Sequence, residues 1–574
     1  MSTQDHPHES GGNGGAAPAA VDRRRFLTLG SVGLLGLGLG TSACTSSATA
    51  AATTSVGSAS SAAVTSASTT VMSTTPSAAS SAPVVSTVTT TSTATATPSA
   101  AAARDAKSAI ADLRKRLKGK VILPGDAGYA VASEARNGRY ANLKPAVIAQ
   151  CADEADVVTA VKWGRENGLP PVVRGGGHSY AGFSNTTGLE IDLSRLNSCT
   201  IDAGAGTAVL GGAALNKDLF ERSSGGKWML PAGTCGLVAI GGLTLGGGIG
   251  YHTHWAGLTS DHLVSTRVVT ADGSVVVADK SSHPDLFWAC RGGSGGSFGV
   301  NTSMSYDLAR IPRARSVYFR FDWRGADAAA AMLWAVDGIL QKAPAELNLS
   351  SAATATPIGR GGAREAVDVL CRGHFLGSVK DLTDLLKPLM SIAGRTNMVI
   401  KEQPFWDTAK IFISNEATPH SWGDISRYVA KPVPSAVYAK LADLVASCPI
   451  RTADSNGAIW SLGWVGGPVV DRFAPTDTAY VHRGMTTLLR PTPVWRNEDP
   501  LAVGNELMGW TLDMTALIDP YSPGDSYQNF PNRFLDGWET AYYGQNWDRL
   551  RDVKTVYDPT NFFSNPQSIP PRFG

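Results

Sequence analysis

Three glycine clusters follow one another along the chain: RGGGHSYAG at 174–182, GGLTLGGGIG at 241–250 and RGGSGGSFGV at 291–300. A dinucleotide has to lie against backbone, because its phosphate oxygens seek N–H donors and a side chain at the contact would hold them off. One such cluster is weak evidence; three in one region are strong evidence for a fold that gathers loops around an extended cofactor. None of the three has the spacing G-x-G-x-x-G, which disfavours a Rossmann-type nucleotide fold. The segment GGSGG at 292–296 satisfies the hydrolase pattern G-x-S-x-G around Ser294. No strand, sharp turn and helix frame that serine, which argues against serine hydrolysis.

A chain of 574 residues with 43% hydrophobic and 17% charged residues is too long for one ordinary domain and can fill more than one core. The net charge of +2 creates no field that would gather nucleic acid, so a small, weakly charged ligand is the expected partner. The seven cysteines, at 44, 151, 199, 235, 290, 371 and 448, include no C-x-x-C pair and no finger spacing, so no metal site is expected.

The N-terminal region reads as an address and a tether. Residues 1–44 contain DRRRFLTLG at 22–30, an apolar, glycine-rich run and then small residues before Cys44, which is the form of an export signal of twin-arginine type. The apolar run is shorter than the ~20 residues a membrane-spanning helix needs. Cys44 is a candidate for lipid attachment, with simple cleavage after Ala43 as the alternative, so the protein is expected at the outer face of the membrane or secreted. Residues 45–103 are almost entirely Ser, Thr, Ala and Val without charge, the composition of a flexible stalk.

Charges return from Arg104, where apolar residues at helical spacing lead to a Pro-Gly stop. PAVIAQ, an amphipathic stretch carrying Val157, Val158, Val161 and Trp163, and PVVRGGG then predict strand, helix and strand. Short β-rich runs follow, with a hairpin turn at Asp272 and Gly273. Residues 104–310 are read as a cofactor-binding domain. Residues 311–535, alternating β segments with long helical ones, are read as a substrate domain of antiparallel sheet covered by helices. Residues 536–574 are read as a segment packing back on the first domain. The fold class is α+β.

RGGGHSYAG, PAGTCGLVAIGGLTLGGGIG, DLFWACRGGSGGSFGV and AYYGQNWDRLRDVKTVYDPTNFFSNPQSIP, in that order, resemble the berberine bridge enzyme-like branch of the vanillyl alcohol oxidase family of FAD-linked oxidases. The resemblance implies a two-domain fold with a PCMH-type FAD-binding domain. It further implies FAD held by two covalent bonds, from a His178 ring nitrogen to the flavin 8α-methyl and from the Cys235 sulfur to flavin C6. By residue type alone His178 also fits a loop residue bonded to its neighbours, and Cys235 a small buried filler. Arg174, Gly175, Gly176, Gly177, Ser179 and Gly182 are expected to contact the cofactor. So are Gly241, Gly242, Gly246, Gly247, Gly248, Gly250, Val300 and Asn529. Two attachments fix the ring and make it a stronger electron acceptor, suited to oxidising a CH–OH group by hydride transfer to flavin N5.

SYQNFPN at 526–532 resembles the family's Tyr-x-Asn-Tyr motif, with Phe530 in place of the second tyrosine. Tyr527 is therefore the candidate catalytic base, with Arg490 as its polar partner and aromatic packing as the plainer role. An ordinary tyrosine ionises near about 10 and needs a cation or hydrogen bonds to work near neutrality. His252 and His254 would alternate onto one face of a strand, with no third ligand in view, and Ala256 suggests a roomier site. Trp460 and Trp464 could form a sugar-stacking platform or belong to the core. The expected reaction oxidises a sugar, alcohol or secondary metabolite, with O2 reoxidising the flavin and releasing hydrogen peroxide. A dehydrogenase using a quinone-like acceptor and a non-catalytic surface-binding flavoprotein are the alternatives.

Overall fold

The computed structural model describes residues 100–414 and 420–572. The export signal, Cys44 and most of the stalk lie outside the described residues. No helix among the described residues is long and apolar enough to cross a membrane. The described residues from Ser108 onward belong to one compact unit.

The helix Glu154–Glu166 forms where the sequence places apolar residues at helical spacing: Val157, Val161 and Trp163 are buried, and the Asp153 side chain caps the start by accepting the Asp156 N–H. This helix packs on a four-stranded sheet in which the strands Val147–Gln150, Leu189–Asp192 and Pro171–Arg174 run parallel. Pro171–Arg174 is an edge strand, and the first glycine cluster leaves its carboxyl end. A second, antiparallel sheet of five strands runs Cys199–Asp202, Thr207–Gly211, Val300–Asp307, Leu263–Val269, Val275–Asp279. Its last two strands form the hairpin, with Gly273 at φ 78° where a Cβ would be strained.

Residues 315–495 build an eight-stranded antiparallel sheet. Alternation along Arg315–Arg324 sorts its two faces: Val317, Phe319, Phe321 and Trp323 join the core under the helices Ala326–Leu340, Ser435–Ala446 and Leu501–Ile518, while Tyr318 joins an aromatic cluster on the other side. That second face looks toward the glycine loops. The C-terminal helix Trp547–Tyr557 contributes Leu550 and Val553 to the same core as Leu286, Phe287 and Trp288. Its fully buried Lys554 donates to the carbonyls of Ser297 and Phe563 and pairs with Asp558 at 2.8 Å.

Candidate functional site

The three glycine clusters meet on one cavity of about 340 Å³ between the first two sheets and the inner face of the large sheet. Gly175, Gly176 and Gly177 carry the first cluster along its wall, and His178, Ser179 and Tyr180 continue it. The close fit of that loop explains the glycines. A Cβ at Gly176 would lie 2.8 Å from both Ala239 N and Leu237 O, and Gly177 has φ 68°. The second cluster opens as the short helix Ile240–Leu245, where a Cβ on Gly241 would strike Gly212 O at 2.4 Å while one on Gly242 would meet nothing within 4 Å. The third cluster is tied to the second through Leu245 O, which accepts N–H donors from Gly292 at 3.1 Å and Ser294 at 2.8 Å. Ser294 follows the helix Pro284–Ala289 and precedes a strand, the reverse of a nucleophile elbow.

His178 and Cys235 both line this cavity. His178 is half-buried, its ring 6.0 Å from that of Tyr180 and 6.2 Å from that of Trp422. Cys235 sits on a backbone bridge to Ser414, with its carbonyl fixed by Asn216 Nδ2 at 2.9 Å. Among the described residues six cysteines stand outside disulfides, and Cys235 is the one that is not buried. Ser184 Oγ, Gln528 Oε1 and Gln567 Oε1 also belong to lining residues and are buried without a hydrogen-bond partner. Unsatisfied groups of this kind along a glycine-lined wall suit a polar, extended cofactor such as FAD.

Several residues expected at the cofactor stand behind the wall rather than on it. Arg174 turns its guanidinium away from the cavity, donating to Glu134 O at 2.5 Å and standing 3.7 Å from Glu190. Gly182, Gly246, Gly247, Gly248 and Gly250 answer to crowding instead. Their missing Cβ atoms make room for Tyr140, Asn529, Tyr480, Thr259 and Ala232 O respectively. Val300 is buried in its strand, with the lining contributed by its neighbours Gly299 and Asn301. His252 and His254 lie at a helical turn, Thr253–Ala256, not on a strand. His252 accepts from Trp255 Nε1, and His254 sits against Ala345 O. Ala256 is buried away from the cavity, and Tyr251 supplies the aromatic ring on that wall. Trp460 and Trp464 line the cavity and belong to its aromatic cluster at once.

Tyr527, Asn529 and Arg490 also reach the cavity, but they do not form the group expected of them. The Tyr527 hydroxyl oxygen accepts three N–H donors, from Gly248 at 3.1 Å, Ile249 at 3.3 Å and Asn529 Nδ2 at 3.0 Å. Burial outweighs those bonds and pushes its ionisation up to about 12. Arg490 does not serve this hydroxyl. Its guanidinium lies 4.3 Å from the Phe530 ring centre and donates through Nη2 to Tyr180 OH at 3.3 Å. Asp424, with a fully buried side chain, holds Arg490 Nε at 2.8 Å on each oxygen and Nη2 at 2.5 Å. Burial works against the charge on Arg490, but Asp424 and Tyr180 outweigh it and keep the guanidinium firmly protonated. Sequence reasoning missed Tyr180, Trp422, Asp424 and Tyr251. Tyr180, two residues beyond His178 in the first cluster, and Tyr251, directly after Gly250 at the end of the second, carried a signal.

Residues 145–279 match a family model described as an FAD binding domain, and residues 526–570 one described as berberine and berberine like. An FAD-linked oxidoreductase of Bacillus subtilis (strain 168), YgaK, is 32% identical over 470 residues, 80% of this chain and 98% of that one. A glucooligosaccharide oxidase of Sarocladium strictum is 28% identical across 74% of this chain and 87% of its own. Among solved structures, BBE-like 1 of Physcomitrella patens shares the fold with a TM-score of 0.71 at 24% identity, over 81% of this chain and all 100% of that one.

Proposed function

The chain belongs to the berberine bridge enzyme-like FAD-linked oxidoreductases, and from that footing we propose that it carries FAD on two covalent bonds and oxidises a CH–OH group of a sugar or alcohol. The observation that carries this reading is the presence of His178 and the half-buried Cys235 on one glycine-lined cavity. Gly175, Gly176, Gly177 and Ser179 would hold the cofactor from one side, and Gly241, Gly242 and Asn529 from another. When bound, FAD supplies the acceptor for the hydride leaving the carbinol carbon. His178 and Cys235 would fix the ring, His178 through a ring nitrogen and Cys235 through its sulfur.

On the sheet side, Trp422, Trp460, Trp464 and Tyr251 wall the space left for a substrate. Trp422 Nε1 and Trp464 Nε1 are buried donors without an acceptor, which favours a substrate rich in oxygen. Arg490 adds no net charge there because Asp424 neutralises it. A neutral sugar or alcohol is the class these walls suit, and the names of relatives such as the glucooligosaccharide oxidase point the same way. The proposal includes reoxidation by O2 with release of hydrogen peroxide, and export by the twin-arginine-type segment in residues 1–44.

The test is a screen of the purified yellow protein against gluco- and xylo-oligosaccharides and aryl alcohols. Bleaching of the flavin under anaerobic conditions, with return of colour and equimolar peroxide on admitting air, is the expected result. Bleaching without peroxide would replace O2 by another acceptor. A bound flavin that nothing in the panel bleaches would favour a binding role.

A further inference from the structure

This inference rests on the functional reading above and concerns the proton that must leave the substrate hydroxyl. We infer that Tyr180, rather than Tyr527, accepts that proton, and that Asp424 is a positioning residue that holds Arg490 against it.

Tyr180 lies two residues after His178 on the same loop and lines the same cavity. Its ring is stacked on Phe530 at 5.0 Å and meets Trp422 edge-on at 5.4 Å, so its position is fixed by packing from two sides. The Tyr180 oxygen accepts an N–H from a guanidinium, a bond that favours the phenolate over the phenol. Tyr527 lacks a cation of this kind: its three N–H donors are neutral, and it stays a phenol across the neutral range.

Asp424 gives the cation its direction. Arg490 and Thr492 stand two residues apart on the strand Thr487–Trp495 and so share the face that looks into the cavity. Asp424 accepts from both of them, taking Arg490 through Nε and Nη2 together. Two-point pairing fixes the plane of the guanidinium, which a single contact would not. Among the described residues, the charged and titratable groups placed around Tyr180 include Arg490 with Asp424 behind it on the sheet side, His178 on its own loop, and Cys235 and Tyr527 on the shared cavity wall.

The step assigned to Tyr180 is a proton transfer. The substrate O–H bond breaks, the phenol O–H bond forms, and the electron pair left on the substrate oxygen closes the carbonyl; FAD, when bound, would supply the acceptor for the hydride released from the carbinol carbon. The phenol then returns its proton to solvent.

The test needs neither substrate nor turnover. Holoprotein labelled with 13C at the tyrosine Cζ is titrated by NMR, and the Tyr180 resonance is assigned by its loss in Tyr180→Phe. Tyr180 should ionise at least about one pH unit below the ordinary tyrosine value near 10. Arg490→Gln should move it upward by about a unit or more, with Arg490→Lys in between. The Lys variant keeps the charge but not the two-point pairing with Asp424, so it isolates the positioning role. A Tyr180 that titrates near 10 or above in a flavin-bearing protein overturns the inference alone. An Arg490→Lys variant whose Tyr180 titration matches that of the unaltered protein overturns the positioning role. A protein without bound flavin overturns the functional reading on which the inference rests.

Discussion

Glu190 has no solvent exposure, and neither of its carboxylate oxygens has a hydrogen-bond partner, although Arg174 stands 3.7 Å away. Burial raises its ionisation to about 7, partly offset by the Arg174 charge. An acid that ionises near 4.5 in the unfolded chain and near 7 in the fold holds an extra proton when folded between those values. Stability therefore falls as pH rises through that window, by ~3 kcal/mol at the upper end. Glu190→Gln mimics the neutral form, so urea unfolding of the variant should show most of the decline between pH 5 and pH 8 removed. An unchanged slope would mean that other groups carry it. The pair lies behind the strand that launches the first glycine cluster, since Glu190 is in register with Val172 and Asp192 with Arg174. The Arg174 side chain thus braces the loop that bears His178 from outside the cavity.

The short helix Ile240–Leu245 separates what the cofactor needs from what the fold needs. A methyl on Gly242 would enter open space, and alanine is favoured over glycine in a helix by up to ~1 kcal/mol. Gly242→Ala should therefore fold with an unchanged or higher melting temperature yet retain several-fold less flavin, read from absorbance per protein. Gly176→Ala, crowded by backbone on two sides, should lose both. At the other end of the chain, Lys554 and Asp558 form a fully buried pair on the C-terminal helix, and Asp558 also accepts N–H donors from Phe562 and Phe563. Lys554→Met leaves Asp558 uncompensated and should cost about 3–5 kcal/mol in chemical unfolding, loosening the loop through Ser297. A loss under 1 kcal/mol would show the pair to be incidental. The helix periodicity of Val157, Val161 and Trp163 and the turn at Gly273 made these elements legible in the sequence. Glycine itself was an ambiguous signal. Gly250 and Gly247 exist to let Ala232 O and Tyr480 approach, a demand indistinguishable in sequence from that of a cofactor.

At the scale of the whole molecule, the large sheet closes over the glycine loops and brings together groups that the chain keeps far apart. Arg490 meets Tyr180 across a separation of 310 residues and Asp424 across 66. No local pattern announces such a meeting, which is why the α+β fold could be read in advance and the Arg490–Tyr180 pairing could not. The same closure sets His178 and Cys235 on one cavity although they belong to different loops. The most direct measurement is to denature and precipitate the yellow protein in acid, then map the flavin by peptide mass. Flavin should stay on the pellet, on the peptides holding His178 and Cys235. Each single alanine variant should keep one link, and the double variant none. Flavin released entirely to the supernatant by the unaltered protein would contradict the account.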